Sequence, residues 1–155
     1  MLHARQAELR DALLLTPRLR PEDRDEIEAA SGKSPFCALL EGIFPSVPAL
    51  SIVDEAGTVM GIYGVIPIEQ HFVGAIWMLA ATELLEHSRQ FLRESRAWID
   101  TLQSCYPVLF NVVDARNTTH IRWLKWCGFT FIKLHEDYGP QHRPFYEFIR
   151  IKTNV

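Results

Sequence analysis

The order of periodicities along the chain predicts an α/β sandwich, a mixed β-sheet covered by helices. Three observations lead there. Apolar residues recur at helical spacing over the first forty or so positions, then β-rich runs flank a glycine turn, and the second half alternates helical and strand-like segments. With 155 residues, 48% apolar and 23% charged, usage is ordinary for a globular protein and excludes disorder, collagen-like structure and a disulfide-rich miniature. A chain of this length buries roughly two-thirds of its unfolded surface, so a single domain over residues 1–155 needs no metal or disulfide staple.

Residues 4 to 16 place Leu9, Ala12, Leu13 and Thr16 on one helical side, Pro17 ends that helix, and a short leading strand is an option. Pro21, Glu22 and Asp23 then sit where a helix starts, Ile27 and Ala30 carry it on, and Ser31-Gly32 stop it. A third short helix runs from Pro35 to Glu41, with Phe36, Leu39 and Leu40 on one face and Gly42 to close it. Ala49 to Asp54 and Thr58 to Ile66 form a hairpin around Glu55-Ala56-Gly57. Phe72 to Ala80 lacks alternation, which predicts a strand buried on both faces. A long helix reaches about Gln103 with Phe91, Leu92, Trp98, Ile99 and Leu102 as its apolar side. A strand at Val108 to Val113 follows, then a helix from Asn117 to Cys127 with Asn117 as N-cap and Gly128 at the C′ position. Two strands, Phe129 to Leu134 and Phe145 to Ile151, flank a polar loop containing Gly139-Pro140.

Sixteen basic and 19 acidic side chains give a formal charge of −3, without the basic face of a nucleic-acid binder, so no nucleic-acid partner is expected. Cys37, Cys105 and Cys127 form no C-x-x-C pair, which fits a reducing compartment and predicts no metal site. Arg5, Glu8, Arg10 and Asp11 interrupt any signal-peptide core, and the longest apolar stretch, Phe72 to Ala81, falls well short of the roughly 20 residues of a membrane span. A soluble protein is expected.

The succession of elements resembles the GNAT acetyltransferase fold over nearly the whole chain, with its sharpest point in Asn117, ten intervening residues and Gly128-Phe129. Any capped helix running into a strand could use the same residues, so the weight lies on the order of elements. Leu19-Arg20-Pro21-Glu22-Asp23-Arg24, Ile76-Trp77-Met78-Leu79 and His120 to Phe129 are similar to an acetyltransferase-like family encoded by bacteriophages, which includes the small internal virion protein of short-tailed phages. That resemblance implies a place in the host cytoplasm or the virion, with phage structural or host proteins as partners.

The resemblance also implies acetyl-CoA as cofactor, lying between two splayed strands. Its pantetheine would pair as a strand with the backbone of Met78, Leu79 and Ala80, and Thr82, Ser88, Arg89 and Asn117 would stand nearby. GNAT enzymes cradle the pyrophosphate with [Arg/Gln]-x-x-Gly-x-[Gly/Ala]; the matching region here, Ala80 to Arg89, contains no glycine. Two helix starts are open. With Thr82 as N-cap, Glu83 and Glu86 fill the first turn and repel a phosphate. With Glu83 to His87 as a separate turn and Ser88 as cap, the Ser88 hydroxyl, free amides and Arg89 can meet an anion, and Arg93 and Arg96 continue a face that equally serves as solvated surface.

The tyrosine that many GNAT enzymes carry seven positions after the asparagine is Leu124 here, which cannot protonate a thiolate. Tyr138 and His135 reach the site only if the last hairpin folds inward. Candidates for the catalytic base are Glu69 and His71, between the third and fourth predicted strands, and His120 is a candidate for contacts in the cleft or for the core. Cys127 has no partner histidine at a readable spacing. Two functions follow as expectations. One is a phage-encoded GNAT-fold protein without efficient transfer, acting through protein contacts in virion assembly or host takeover; the other is an active acetyl-CoA-dependent N-acetyltransferase.

Overall fold

The computed structural model describes residues 1–153. Its elements are β1 (His3–Gln6), α1 (Leu9–Leu15), α2 (Pro21–Ser31), α3 (Pro35–Ile43), β2 (Ala49–Val53), β3 (Val59–Ile68), β4 (Val73–Ala80), α4 (Ser88–Cys105), β5 (Val108–Asp114), α5 (Thr118–Trp126), β6 (Thr130–Tyr138) and β7 (Arg143–Ile151). The strands make one seven-stranded sheet in the order β1-β2-β3-β4-β5-β7-β6. Every pairing is antiparallel except β4 with β5.

Helices cover both faces, each over its own core. On one side Ala12, Leu15, Ile27, Leu39 and Ile43 of α1 to α3 meet Val53, Val59, Ile62 and Leu79. On the other, Ile99 and Leu102 of α4 and Leu124 of α5 meet Ile52, Tyr63, Val65, Ile76, Leu109, Val113 and Phe148. Because neighbouring residues of the central strands feed opposite cores, β3 and β4 read as continuous apolar runs. No helix among the described residues is long and apolar enough to cross a membrane.

The first helix departs from the sequence expectation. It begins at Leu9, because His3 to Gln6 pair antiparallel with β2, and it buries Asp11, Ala12 and Leu15 while Leu9, Leu13 and Leu14 stay exposed. Asp11 takes the inward position by using both oxygens: Arg5 donates to both, and the Glu8 N–H and Ser51 hydroxyl also donate. These contacts outweigh burial and hold its carboxyl below the usual range.

Gly42 does not close α3. It lies inside the helix, where a Cβ would come within 2.8 Å of the Trp77 ring. Trp77 is fixed there by its indole N–H, which donates to Ser46 Oγ at 2.8 Å, and the Ser46 hydroxyl donates to Gly42 O at 2.6 Å. The β6–β7 turn is held to α2 in a similarly close manner. Gly139 has φ +70°, and a Cβ there would stand 2.2 Å from Ala29 O. This contact draws the last hairpin over α2 and builds one wall of the cleft described below. Gly139→Ala is expected to cost about 2–3 kcal/mol of stability, read as a lowered urea midpoint with little change in slope.

Candidate functional site: the gap between β4 and β5

β4 and β5 pair only over Val73–Ala75 with Val108–Phe110, and beyond these residues they part. Splaying adjacent strands strands the main-chain groups that would have joined them, and each buried group needs another partner. Along β4, odd-numbered residues bond to β3, so Ile76, Met78 and Ala80 turn their N–H and C=O into the gap. Asn111 spans the crotch: its Nδ2 donates to Ile76 O at 2.7 Å and its Oδ1 accepts from Val112 N at 2.8 Å.

At the open end the gap is closed by the start of α2. Arg20 N donates to Ala80 O at 2.9 Å, and the Asp23 carboxylate accepts from Ala80 N at 3.0 Å. Arg20 Nη1 lies 3.5 Å from Asp23 Oδ1, and Arg20 Nη2 donates to Asn117 Oδ1 at 3.2 Å. Asn117 Nδ2 donates back to Asp23 at 3.4 Å. Arg20, Asp23 and Asn117 are all buried. Burial pushes the Asp23 carboxyl up, opposed by the Arg20 charge and the Ala80 N–H. Asn117 still precedes α5 but makes no side-chain cap, because its amide is committed to this ion pair.

Across the gap, Glu26 of α2 serves β5: its Oε1 accepts from Asp114 N at 2.8 Å. Burial raises its carboxyl to about 8, even though the Asp114 N–H and the Asn117 amide favour the ionised form. Glu26 lines an open cleft of about 530 Å³ between α2, α3, β4, β5 and the β6–β7 hairpin, together with Trp77, Asn111, His120 and Tyr138. His120, one turn into α5, borders this cleft and the narrower spaces behind it. Burial, with the Arg20 charge adding to it, lowers its imidazole to about 4, so it is neutral at physiological pH.

Of the candidate residues from sequence, Met78, Leu79, His120 and Tyr138 line the cleft. Glu69 and His71 do not: they sit with Gln70 in a left-handed turn (φ 50° to 70°) before β4, at the end where β4 and β5 remain paired, and His71 stacks on Tyr106. His135 pairs with Glu147 at 3.2 Å. The Cys127 thiol is buried beside Ser95 and pushed up to about 11, unsuited to a nucleophile. Glu26 and Asn111 were not singled out by sequence, where one reads as a helix-start acid and the other as a strand residue.

Of the residues expected to hold acetyl-CoA, Met78, Ala80 and Ser88 line one half-open space between β4, α4 and α5. A short 3₁₀ turn, Thr82–His87, precedes α4, so Glu83 and Glu86 lie outside the α-helix. Ser88 does not cap α4; His87 occupies that position, and the Ser88 N–H bonds to Leu85 O. Thr82, Ser88 and Arg89 are exposed, while Arg96 is drawn away over the Trp126 ring at 3.8 Å. The Leu79 main chain belongs to the β3 ladder and Ala80 is engaged on both groups, leaving Met78 as the one candidate strand contact among the three. Phe91 of α4 stacks on Trp123 of α5 at 5.5 Å, and the half-open space between them and Ala80 is about 60 Å³.

Glu26 also has a stability signature. The folded carboxyl keeps its proton up to about pH 8 and the unfolded one loses it above about 4.5, so the native state binds more protons between these values. Stability therefore falls as pH rises through this window, by up to about 1.4 kcal/mol per unit from this group. Glu26→Gln, which keeps an acceptor for the Asp114 N–H, is expected to match the parent below pH 4.5 and gain on it steadily toward pH 8 in urea titrations at several pH values.

No protein-family model matches the sequence, and no curated protein matches it. Solved structures do match. An acetyltransferase of the GNAT family from Streptococcus pneumoniae is 17% identical, with 97% of this chain and 99% of that one aligned at a TM-score of 0.64. Spermidine N-acetyltransferase from Vibrio cholerae, in complex with CoA and spermine, is 15% identical over 97% and 95% of the chains at 0.70. A GNAT-family acetyltransferase from Bacillus anthracis is 9% identical over 97% and 94% at 0.69. Together with the splayed β4 and β5, these likenesses establish that this chain is a single α/β domain with the GNAT acetyltransferase fold.

Proposed function

We propose that this protein uses the GNAT scaffold to bind partners and not to transfer acetyl groups, as a phage-encoded component of virion assembly or host takeover. The observation that carries this reading is the Arg20–Asp23–Asn117 cluster. It occupies both main-chain groups of Ala80 from within the fold and leaves Met78 as the one of the three expected backbone contacts for a strand-like ligand. The glycine-free turn and Leu124 in place of a tyrosine point the same way. Exposed Leu9, Leu13 and Leu14 on α1, with Phe44 and Phe72, supply apolar contact surface. The phage assignment rests on the sequence resemblance.

A second reading is an acyl-CoA-dependent N-acetyltransferase. It is favoured by Glu26, whose carboxyl at about 8 is matched to taking a proton from an amine held in the 530 Å³ cleft. Calorimetric titration with acetyl-CoA separates the two. The first reading expects no saturable heat at millimolar ligand for the parent chain, and retained partner capture from infected-cell extract by Glu26→Gln. Micromolar binding of acetyl-CoA, with turnover of an amine lost in Glu26→Gln, would replace the first reading with the second.

A further inference from the structure

Outside the gap, the outer side of α4 and α5 carries a set of bases that neither reading uses. The two helices run side by side: Phe91 stacks on Trp123, and four residues on in each helix the Cys127 thiol meets Ser95 Oγ at 3.7 Å. Arg93 and Arg96 of α4 and Arg122 and Lys125 of α5 are all exposed. Arg96 is held on a fixed frame. The indole N–H of exposed Trp126 donates to Leu92 O at 3.0 Å, which ties α5 to α4. Arg96 lies over the Trp126 ring at 3.8 Å and its Nε–H donates to Trp126 O at 2.9 Å. The acids beside these bases are engaged elsewhere, Glu94 accepting from Gln90 at 3.1 Å and Asp100 from Arg150 at 2.5 Å. Among the described residues the four bases make one ion contact, Arg93 with Glu94 at 3.9 Å.

The complementary charge is on the same chain and faces the other way. α2 exposes Glu22, Asp25 and Glu28. Because α1 to α3 and α4 to α5 cover opposite sides of the sheet, one chain cannot bring the two faces together. Glu22 lies 3.7 Å from Arg20, whose guanidinium is already shared with Asp23 and Asn117, and neither Asp25 nor Glu28 forms an ion pair among the described residues. The spacing also matches. Glu22 and Glu28 stand about 9 Å apart along α2, and packed helices have their axes about 8–10 Å apart. A helix laid across α4 and α5 therefore sets one end of its acidic row on Arg93 and Arg96 and the other on Arg122 and Lys125. Guanidinium groups take carboxylates as forks, and Arg96, already stacked, loses little freedom on contact.

We propose that the basic α4–α5 face docks the acidic α2 face of a second copy of this chain. The contact is head-to-tail, so each copy added leaves a free face at either end and association does not stop at a pair. This goes beyond the proposed function and stands whether or not acetyl-CoA binds.

The test is the mass of the full chain in solution, followed by light scattering and sedimentation over about a hundred-fold range of concentration, in low salt and in about 0.5 M sodium chloride. In low salt the average mass is expected to exceed one chain and climb steadily with concentration; in high salt it should return to one chain. Two exposed-site variants test the faces separately: Arg93→Glu with Lys125→Glu, and Asp25→Lys with Glu28→Lys. Each alone should associate at least about ten-fold more weakly than the parent, and mixing the two should restore association, because each keeps the face that the other has lost. A parent that stays at one chain in low salt would overturn the contact, and this arm needs no variant to fold. So would a parent that stops at two chains, reversal variants that associate like the parent, or a mixture no heavier than its components.

Discussion

A sheet opened between two neighbouring strands leaves two rows of main-chain donors and acceptors facing each other across a gap too wide to bridge, and the rest of this molecule is arranged around that opening. Asn111 serves both strands at the crotch, Asp23 and Arg20 serve Ala80, and Glu26 serves Asp114. Three of these four residues lie within the first two turns of α2 or just before it. That short segment thus replaces part of a β-ladder. Buried charge is tolerated there because Asp23 and Arg20 are paired with each other and tied by Asn117; removing any one would leave an uncompensated polar group in the core.

The same arrangement explains why two ionisable groups on opposite sides of the gap are both driven neutral. Glu26 and His120 each lose water on burial, and neither has an opposite charge of its own to offset the loss. Arg20 is spent on Asp23, and its residual positive field acts on His120 in the direction that burial already favours. The gap is therefore lined mainly by apolar side chains with a few polar groups among them and is close to neutral in charge, a setting in which those few groups can exchange protons or accept hydrogen bonds.

Much of the fold was legible because it rests on local signals. The change from helical to strand periodicity, the Glu55-Ala56-Gly57 turn, the Ser31-Gly32 stop and Gly128 with φ +87° all act through a residue's own backbone preferences. What stayed hidden depends on partners distant in sequence. Asp23 reads as an ordinary helix-start acid until Ala80 is brought to it, and Asn117 reads as a cap until Arg20, 97 positions away, claims its amide. The α1 pattern misled for a related reason: a carboxylate with four donors can occupy an inward position that periodicity assigns to leucine.

The contact between Gly42 and Trp77 bears on the shape of the cleft as a whole. Trp77 forms part of the cleft's floor, and Gly42, on α3, stands at its edge. Since a Cβ at position 42 would come within 2.8 Å of the indole, α3 and Trp77 can keep this spacing only with glycine there, and a methyl would displace the helix or the ring at the border of the cleft.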